Sequence, residues 1–134
     1  MAVQLYVDGC DVSFDPARTE NVRANLAAVD GRTCVLRPGD TRSLGPAPVL
    51  DGRGCLALRA PRGPAQGLIA ALRQLAAEGL TPGQAISRLL PAAGGVAEGD
   101  PADWWLVPGG PLARLDALAG PRHVVEGGCR VGGD

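Results

Sequence analysis

Each of the four cysteines of this chain follows an aliphatic residue, an acid and a glycine: "VDGC" at 7–10, "VDGRTC" at 29–34, "LDGRGC" at 50–55 and "VEGGC" at 125–129. Four thiolates can bind zinc. Structural zinc sites, however, use pairs of cysteines two to four residues apart, because one tight turn then aims both sulfurs at the metal. No two cysteines here are that close. The spacing instead suits four turns. Glycine supplies a positive φ, the acid bonds its own turn, and cysteine enters a strand as a small apolar residue. No metal is therefore expected, and the thiols are read as structural.

The other reactive types are sparse. His123 is the only histidine, so a Cys–His or Ser–His pair must use it. Cys129 lies six residues on, too far along a strand to meet it directly. Asp8, Asp11, Asp15, Asp30 and Asp51 could supply paired carboxylates, but turns and helix caps account for each. No catalytic residue is assigned and no cofactor is expected. The run "CLALRAPRGPAQGLIAAL" passes from strand through a glycine- and proline-rich loop to helix. Free N–H groups at a helix start attract anions, and Arg59, Arg62, Gln66 and Gly67 are the candidate residues for a phosphate-bearing ligand there. It is not a P-loop, since Gly-Lys-Ser/Thr is missing.

Trp104 and Trp105 are the third candidate set. Adjacent strand residues point to opposite faces, so the two cannot enter the same core. With Tyr6 and Phe14 they are all the aromatics of the chain. One reading places one tryptophan at a contact surface, as tryptophan anchors interfaces. The other places both in a sheet covered on both faces.

These groups must be positioned by a core of Leu, Val and Ala. A length of 134 residues suits one domain over 1–134. That size needs neither disulfide nor metal to fold. Lysine is absent and all 13 basic residues are arginine, a bias that fits a GC-rich bacterial genome. A formal net charge of −1 lacks the basic footprint of nucleic-acid binding. "MAVQLYVDG" has no charged n-region or long apolar run, and no segment reaches the length of a membrane span. A soluble cytoplasmic protein that binds neither nucleic acid nor membrane is the expectation.

Period-2 alternation on either side of Asp8-Gly9 predicts a β-hairpin over 3–14. Asp15-Pro16, then Val22, Leu26 and Val29, predict a helix over 16–30 stopped by Gly31. Residues 33–38 predict a strand, and 47–60 a second hairpin. Leu68, Ile69, Leu72, Leu75 and Ala76 form a helical stripe ended by Gly79. Thr81, Pro82 and Gln84 spell a capping box for a second helix. This helical pair resembles the first two helices of DNA-binding helix-turn-helix domains, but "PAAGGVAEGDPADWW" follows where a basic recognition helix is needed. Residues 91–103 read as a mobile loop, "WWLVP" as a strand, 111–119 as a short helix and "RHVVE" as a last strand, together a βαβ-like unit before a frayed end.

The fold class expected is α+β, or a small α/β: a mixed sheet with an N-terminal hairpin, a central helical hairpin and a C-terminal βαβ-like unit. The function expected is a small non-catalytic binding or assembly protein that associates with itself or another protein through Trp104 and Trp105. The alternative is a small enzyme or sensor for an anionic ligand at the 59–67 loop.

Overall fold

The computed structural model describes residues 2–13, 21–37, 45–60, 65–90, 94–112 and 114–133; the side chains of Ala65 and Gln66 are not among those described. The fold is α+β. Strands β1 (Val3–Val12), β2 (Val22–Val29), β3 (Arg32–Leu36), β4 (Val49–Asp51) and β5 (Cys55–Arg59) precede helices α1 (Ala65–Ala77) and α2 (Pro82–Leu89). Strand β6 (Trp104–Pro108), a 3₁₀ helix (Leu115–Ala119), β7 (His123–Glu126) and β8 (Cys129–Gly132) complete the chain. They form one mixed sheet in the order β3-β2-β1-β5-β6-β7-β8, with β4 also paired to β1. Among the described residues no helix is long and apolar enough to cross a membrane.

The N-terminal antiparallel pair is present, but its strands are β1 and β2 rather than two halves of 3–14. Asp8-Gly9 is a bulge, not a turn. The register passes from Val7↔Leu26 to Cys10↔Ala24, so two residues of β1 face one of β2. Gly9 takes φ +74° there, and Asn25 Oδ1 accepts a hydrogen bond from its N–H at 2.8 Å. The tight hairpin lies one element later. Asp30 (φ +52°) and Gly31 (φ +78°) join β2 to β3 with Val29 paired to Arg32, the signature of a type I′ turn.

Residues 22–29 are strand where a helix is expected, and 16–20 lie outside the described residues. The reason is burial on both faces. Ala24 through Ala28 are all buried, so β2 shows no alternation, and three small alanines fit either period. Residues 47–60 are likewise not a hairpin. Both β4 and β5 run parallel to β1, pairing Asp8↔Asp51 and Asp11↔Leu56. They are one line of strand interrupted at Gly52-Arg53-Gly54, because an antiparallel return would give up the long partner β1.

Helices α1 and α2 form as expected. Thr81 Oγ1 accepts from Gln84 N–H and Gln84 Oε1 from Thr81 N–H, closing the capping box. The C-terminal order of strand, short helix and strand also holds. β6 and β7 are antiparallel neighbours, however, pairing Trp104↔Val125 and Leu106↔His123. A parallel return requires a crossover that spans the strand's length, which a five-residue 3₁₀ helix does not supply. Residues 129–132, expected to fray, pair with β7.

The sheet rolls up. Segment 99–102, expected to be mobile, runs along the outer edge of β3: Thr33 N–H donates to Asp100 O, Gly99 N–H to Thr33 O and Ala102 N–H to Gly31 O. Ala102 O in turn accepts from Gly128 N–H at the β7–β8 turn, at 3.0 Å. Gln4 makes the same connection with its side chain, accepting from Gly31 N–H at 2.6 Å and donating to Gly127 O at 2.9 Å. Two cores result. Leu5, Val7, Val12, Leu26, Trp104, Leu106 and Val125 fill the inside of the roll. Leu56, Leu58, Trp105 and Val107 pack outward against Leu72, Ile86 and Leu118 of the helices.

Candidate functional site

Strand β6 decides the fate of the tryptophans. It is central, with β5 on one side and β7 on the other, and both its faces are covered. Trp104 points into the roll and is wholly buried, its Nε1–H donating to Thr33 Oγ1 at 2.9 Å. Trp105 points outward beneath the helices and is 7% exposed. The alternation is as read, but neither ring is the exposed anchor expected of a contact surface. Buried in this way, they join layers of one chain.

The 59–67 junction is described in part. Arg62 and the side chain of Gln66 lie outside the described residues. Arg59, at the end of β5, is 17% exposed and its guanidinium lies 3.5 Å from the Asp100 carboxylate. That carboxylate also accepts from Ala97 N–H. Arg59 thus ties β5 to the closing segment, and its charge is neutralised there. Gly67 sits in the first turn of α1, where a Cβ would meet nothing. The junction after β6 borders a surface depression of about 330 Å³ lined by Pro108, Gly109, Arg114, Asp116, Ala117 and Gly120. The Arg73 guanidinium hydrogen-bonds Asp116 and holds its carboxyl below the usual range, so the lining carries this paired carboxylate beside the Arg114 cation.

The acid–glycine–cysteine segments come together in two pairs. Asp8-Gly9 lies beside Asp51–Gly54: Asp8 and Asp51 are register partners, and a Cβ on Gly9 would lie 3.2 Å from Arg53 Cγ. Asp30-Gly31 lies beside Glu126–Gly128, both held by Gln4. The thiols do not follow the turns. Cys10 and Cys55 face the inner core, Cys34 is half-buried on β3 and Cys129 is exposed on β8. Burial pushes the Cys10 thiol up to about 12 and raises that of Cys55, with Arg122 partly opposing the latter. Burial also raises Cys34, and the Glu98 carboxylate adds to the effect. Among the described residues no group of three or more His, Cys, Asp or Glu is placed to hold a metal.

The structure gathers one cluster that sequence spacing does not reveal. The end of β4 meets the start of β7 and the middle of β8. His123 Nε2 lies 3.0 Å from Asp51 O, and Arg130 Nε–H donates to His123 Nδ1 at 2.9 Å. Arg122 donates to Arg53 O at 2.7 Å, and the Arg53 guanidinium holds both oxygens of the Asp51 carboxylate. That pairing, first through its hydrogen bonds, lowers the Asp51 carboxyl to about 2. His123 is lowered, first by burial, while the Asp51 carbonyl bond opposes. Asp51 and His123 are 72 positions apart, so only the long-range register brings them together. Compared with protein-family models and with curated proteins, the chain matches none.

Proposed function

We propose that this chain is a small non-catalytic binding or assembly protein, with self-association as its form. The observation that carries the reading is the commitment of most reactive groups among the described residues, exposed Cys129 apart. The one histidine is held between a backbone carbonyl and a guanidinium. The thiols of Cys10, Cys34 and Cys55 are all raised, away from the thiolate a nucleophile needs. Asp51 and Asp116 are lowered by arginine partners, which makes them poor general bases near neutral pH.

The place for assembly is strand β8. The outer edge of β3 is covered by 99–102, whereas β8 ends the strand order and no described strand pairs with its outer edge. A strand edge of this kind is a template for pairing with another strand. Val131 on β8 is 57% exposed. The alternative, an anionic ligand at 59–67, has less support because Arg59 is already paired with Asp100.

Sedimentation velocity over a range of concentrations tests the proposal. A concentration-dependent dimer or larger species that Val131→Lys returns to monomer supports it. A monomer at every concentration overturns self-association. A thermal-shift screen against nucleotides and phosphorylated metabolites separates the alternative, since a ligand at a hundred times its Kd stabilises by about 2.7 kcal/mol.

A further inference from the structure

The ring of His123 spans two strands that do not pair with each other. On one side is Asp51 O of β4, at 3.0 Å; on the other is Arg130 Nε of β8, at 2.9 Å. A guanidinium has only donors and keeps its proton throughout the ordinary pH range. Nδ1 must therefore present a lone pair to Arg130, and Nε2 carries the hydrogen that it donates to the Asp51 carbonyl. This geometry is satisfied by neutral imidazole alone. A proton added at Nδ1 sets two donors and two positive charges against each other.

We propose that His123, Arg130 and the Asp51 carbonyl form a proton-operated clasp, in which protonation of His123 ejects the Arg130 side chain and loosens strand β8. This rests on the chain by itself and not on the assembly reading. Among the described residues, the charged groups acting on the ring are Asp51 from β4, Arg122 beside it on the same segment and Arg130 from β8. One carboxylate stands against these two guanidiniums, and that carboxylate is already held by Arg53. The surroundings thus disfavour imidazolium, in line with the lowered pKa of His123. The sign follows. A group depressed in the fold adds stability above its unfolded value, and that stability is lost as pH falls through and below the ordinary histidine value of about 6.5.

Strand β8 is the element placed to respond. It has four residues, pairs among the described strands with β7 alone, and its ladder is interrupted by a register shift between Val124 and Val125. Cys129, Arg130 and Val131 are all exposed. Arg130 also reaches Arg122 O at 3.4 Å, so contacts of its side chain strap β8 to the start of β7. Losing the histidine end removes the 2.9 Å contact among these.

The test is NMR on the full chain, where the single histidine gives one unambiguous ring signal. Ring ¹⁵N shifts at pH 8 should report the Nε2–H tautomer, and the titration midpoint should lie below that of free histidine. Across that midpoint, amide exchange at Arg130–Gly132, corrected for intrinsic rate, should rise about tenfold relative to β1 amides, the worth of one hydrogen bond. In H123Q an amide oxygen can still accept from Arg130 without titrating, so β8 exchange should lose its pH dependence. The proposal is overturned by an Nδ1–H tautomer, by a midpoint at or above the free value, or by β8 exchange that is flat in wild type or equally pH-dependent in H123Q. Should H123Q not fold, the wild-type tautomer, midpoint and exchange decide alone.

Discussion

Thr33→Val keeps the shape of a buried side chain and deletes one oxygen. That oxygen sits where the roll closes. It accepts from Trp104 Nε1–H at 2.9 Å and donates to Pro101 O at 3.3 Å, so β3, the closing segment and β6 meet on a single hydroxyl. Valine suits a strand, so the backbone carries no penalty. The indole N–H of a wholly buried Trp104 is then stranded. A buried donor left without an acceptor costs about 1–3 kcal/mol. Pro101 is only half-buried, and its carbonyl can turn to water. The expected loss is therefore about 2 kcal/mol. For a domain of this size each kcal/mol shifts Tm by roughly 3–4 °C, which puts the variant about 7 °C lower. Trp104→Phe removes the donor instead, losing about 1 kcal/mol for the bond and at least as much for the smaller ring. In the double variant nothing is stranded, so the two single costs should fail to add by about 1 kcal/mol or more. Urea titration followed by far-UV circular dichroism measures all four proteins without relying on tryptophan emission. If Thr33→Val costs less than about 0.5 kcal/mol and the singles simply add, the hydroxyl is not a closing contact and the account of the roll is wrong.

Two glycines should respond in opposite directions to alanine. At Gly52 a Cβ would lie 2.6 Å from Val7 Cγ1 and 3.0 Å from Cys10 Cβ, so Gly52→Ala should lose about 1–3 kcal/mol by denaturant melt. Gly67 is helical and faces open space, and Gly67→Ala should gain up to about 1 kcal/mol; a loss there would contradict the placement of α1. Pulse alkylation at pH 8 with mass-spectrometric readout should modify exposed Cys129 first and leave Cys10, with its thiol at about 12, unmodified until the chain unfolds. Labelling of Cys10 at the rate of Cys129 would refute the inner core as drawn.

Where local signals decide structure, the chain is readable. Helix α2 announces itself through Thr81, Pro82 and Gln84 because a capping box is complete within four residues. Strand β6 is legible because Trp104–Pro108 is short, apolar and bounded by Gly109. Strand β2 is not legible. Val22, Leu26 and Val29 recur at helical spacing, yet the segment is held by β1 on one side and β3 on the other, pairings that no local window contains. The cluster around His123 is hidden for the same reason. Its members come from β4, the turn after it, β7 and β8, and only the parallel register of β4 on β1 sets Asp51 where His123 can reach it. In the closing segment composition points away from the structure. Glycine and acid residues suggest mobility, but here Glu98 accepts from Val35 N–H of β3 and Asp100 from Ala97 N–H of its own segment, so the acids fix the segment in place.

The repeated acid–glycine–cysteine segment joins these two cases. In each segment a glycine takes a positive φ, +74° at Gly9, +78° at Gly31, +76° at Gly54 and +58° at Gly127. That much is local. The outcome is a bulge at Gly9, type I′ turns at Asp30-Gly31 and Gly127-Gly128, and an interruption between two collinear strands at Gly52–Gly54. A left-handed residue reverses the chain only if the strand after it has a free neighbour to return along. After Gly9 that neighbour is missing, because both sides of β1 are taken by β2 and by β4 and β5. After Gly31 it is present, because β2 still has an open side for β3. Each cysteine is then buried or exposed by the strand it enters. Cys10 and Cys55 flank the centre of the sheet and turn inward, while Cys129 enters the edge strand and meets solvent. A common thiolate site would need all four turns to share one end of the roll, and the register divides them two and two.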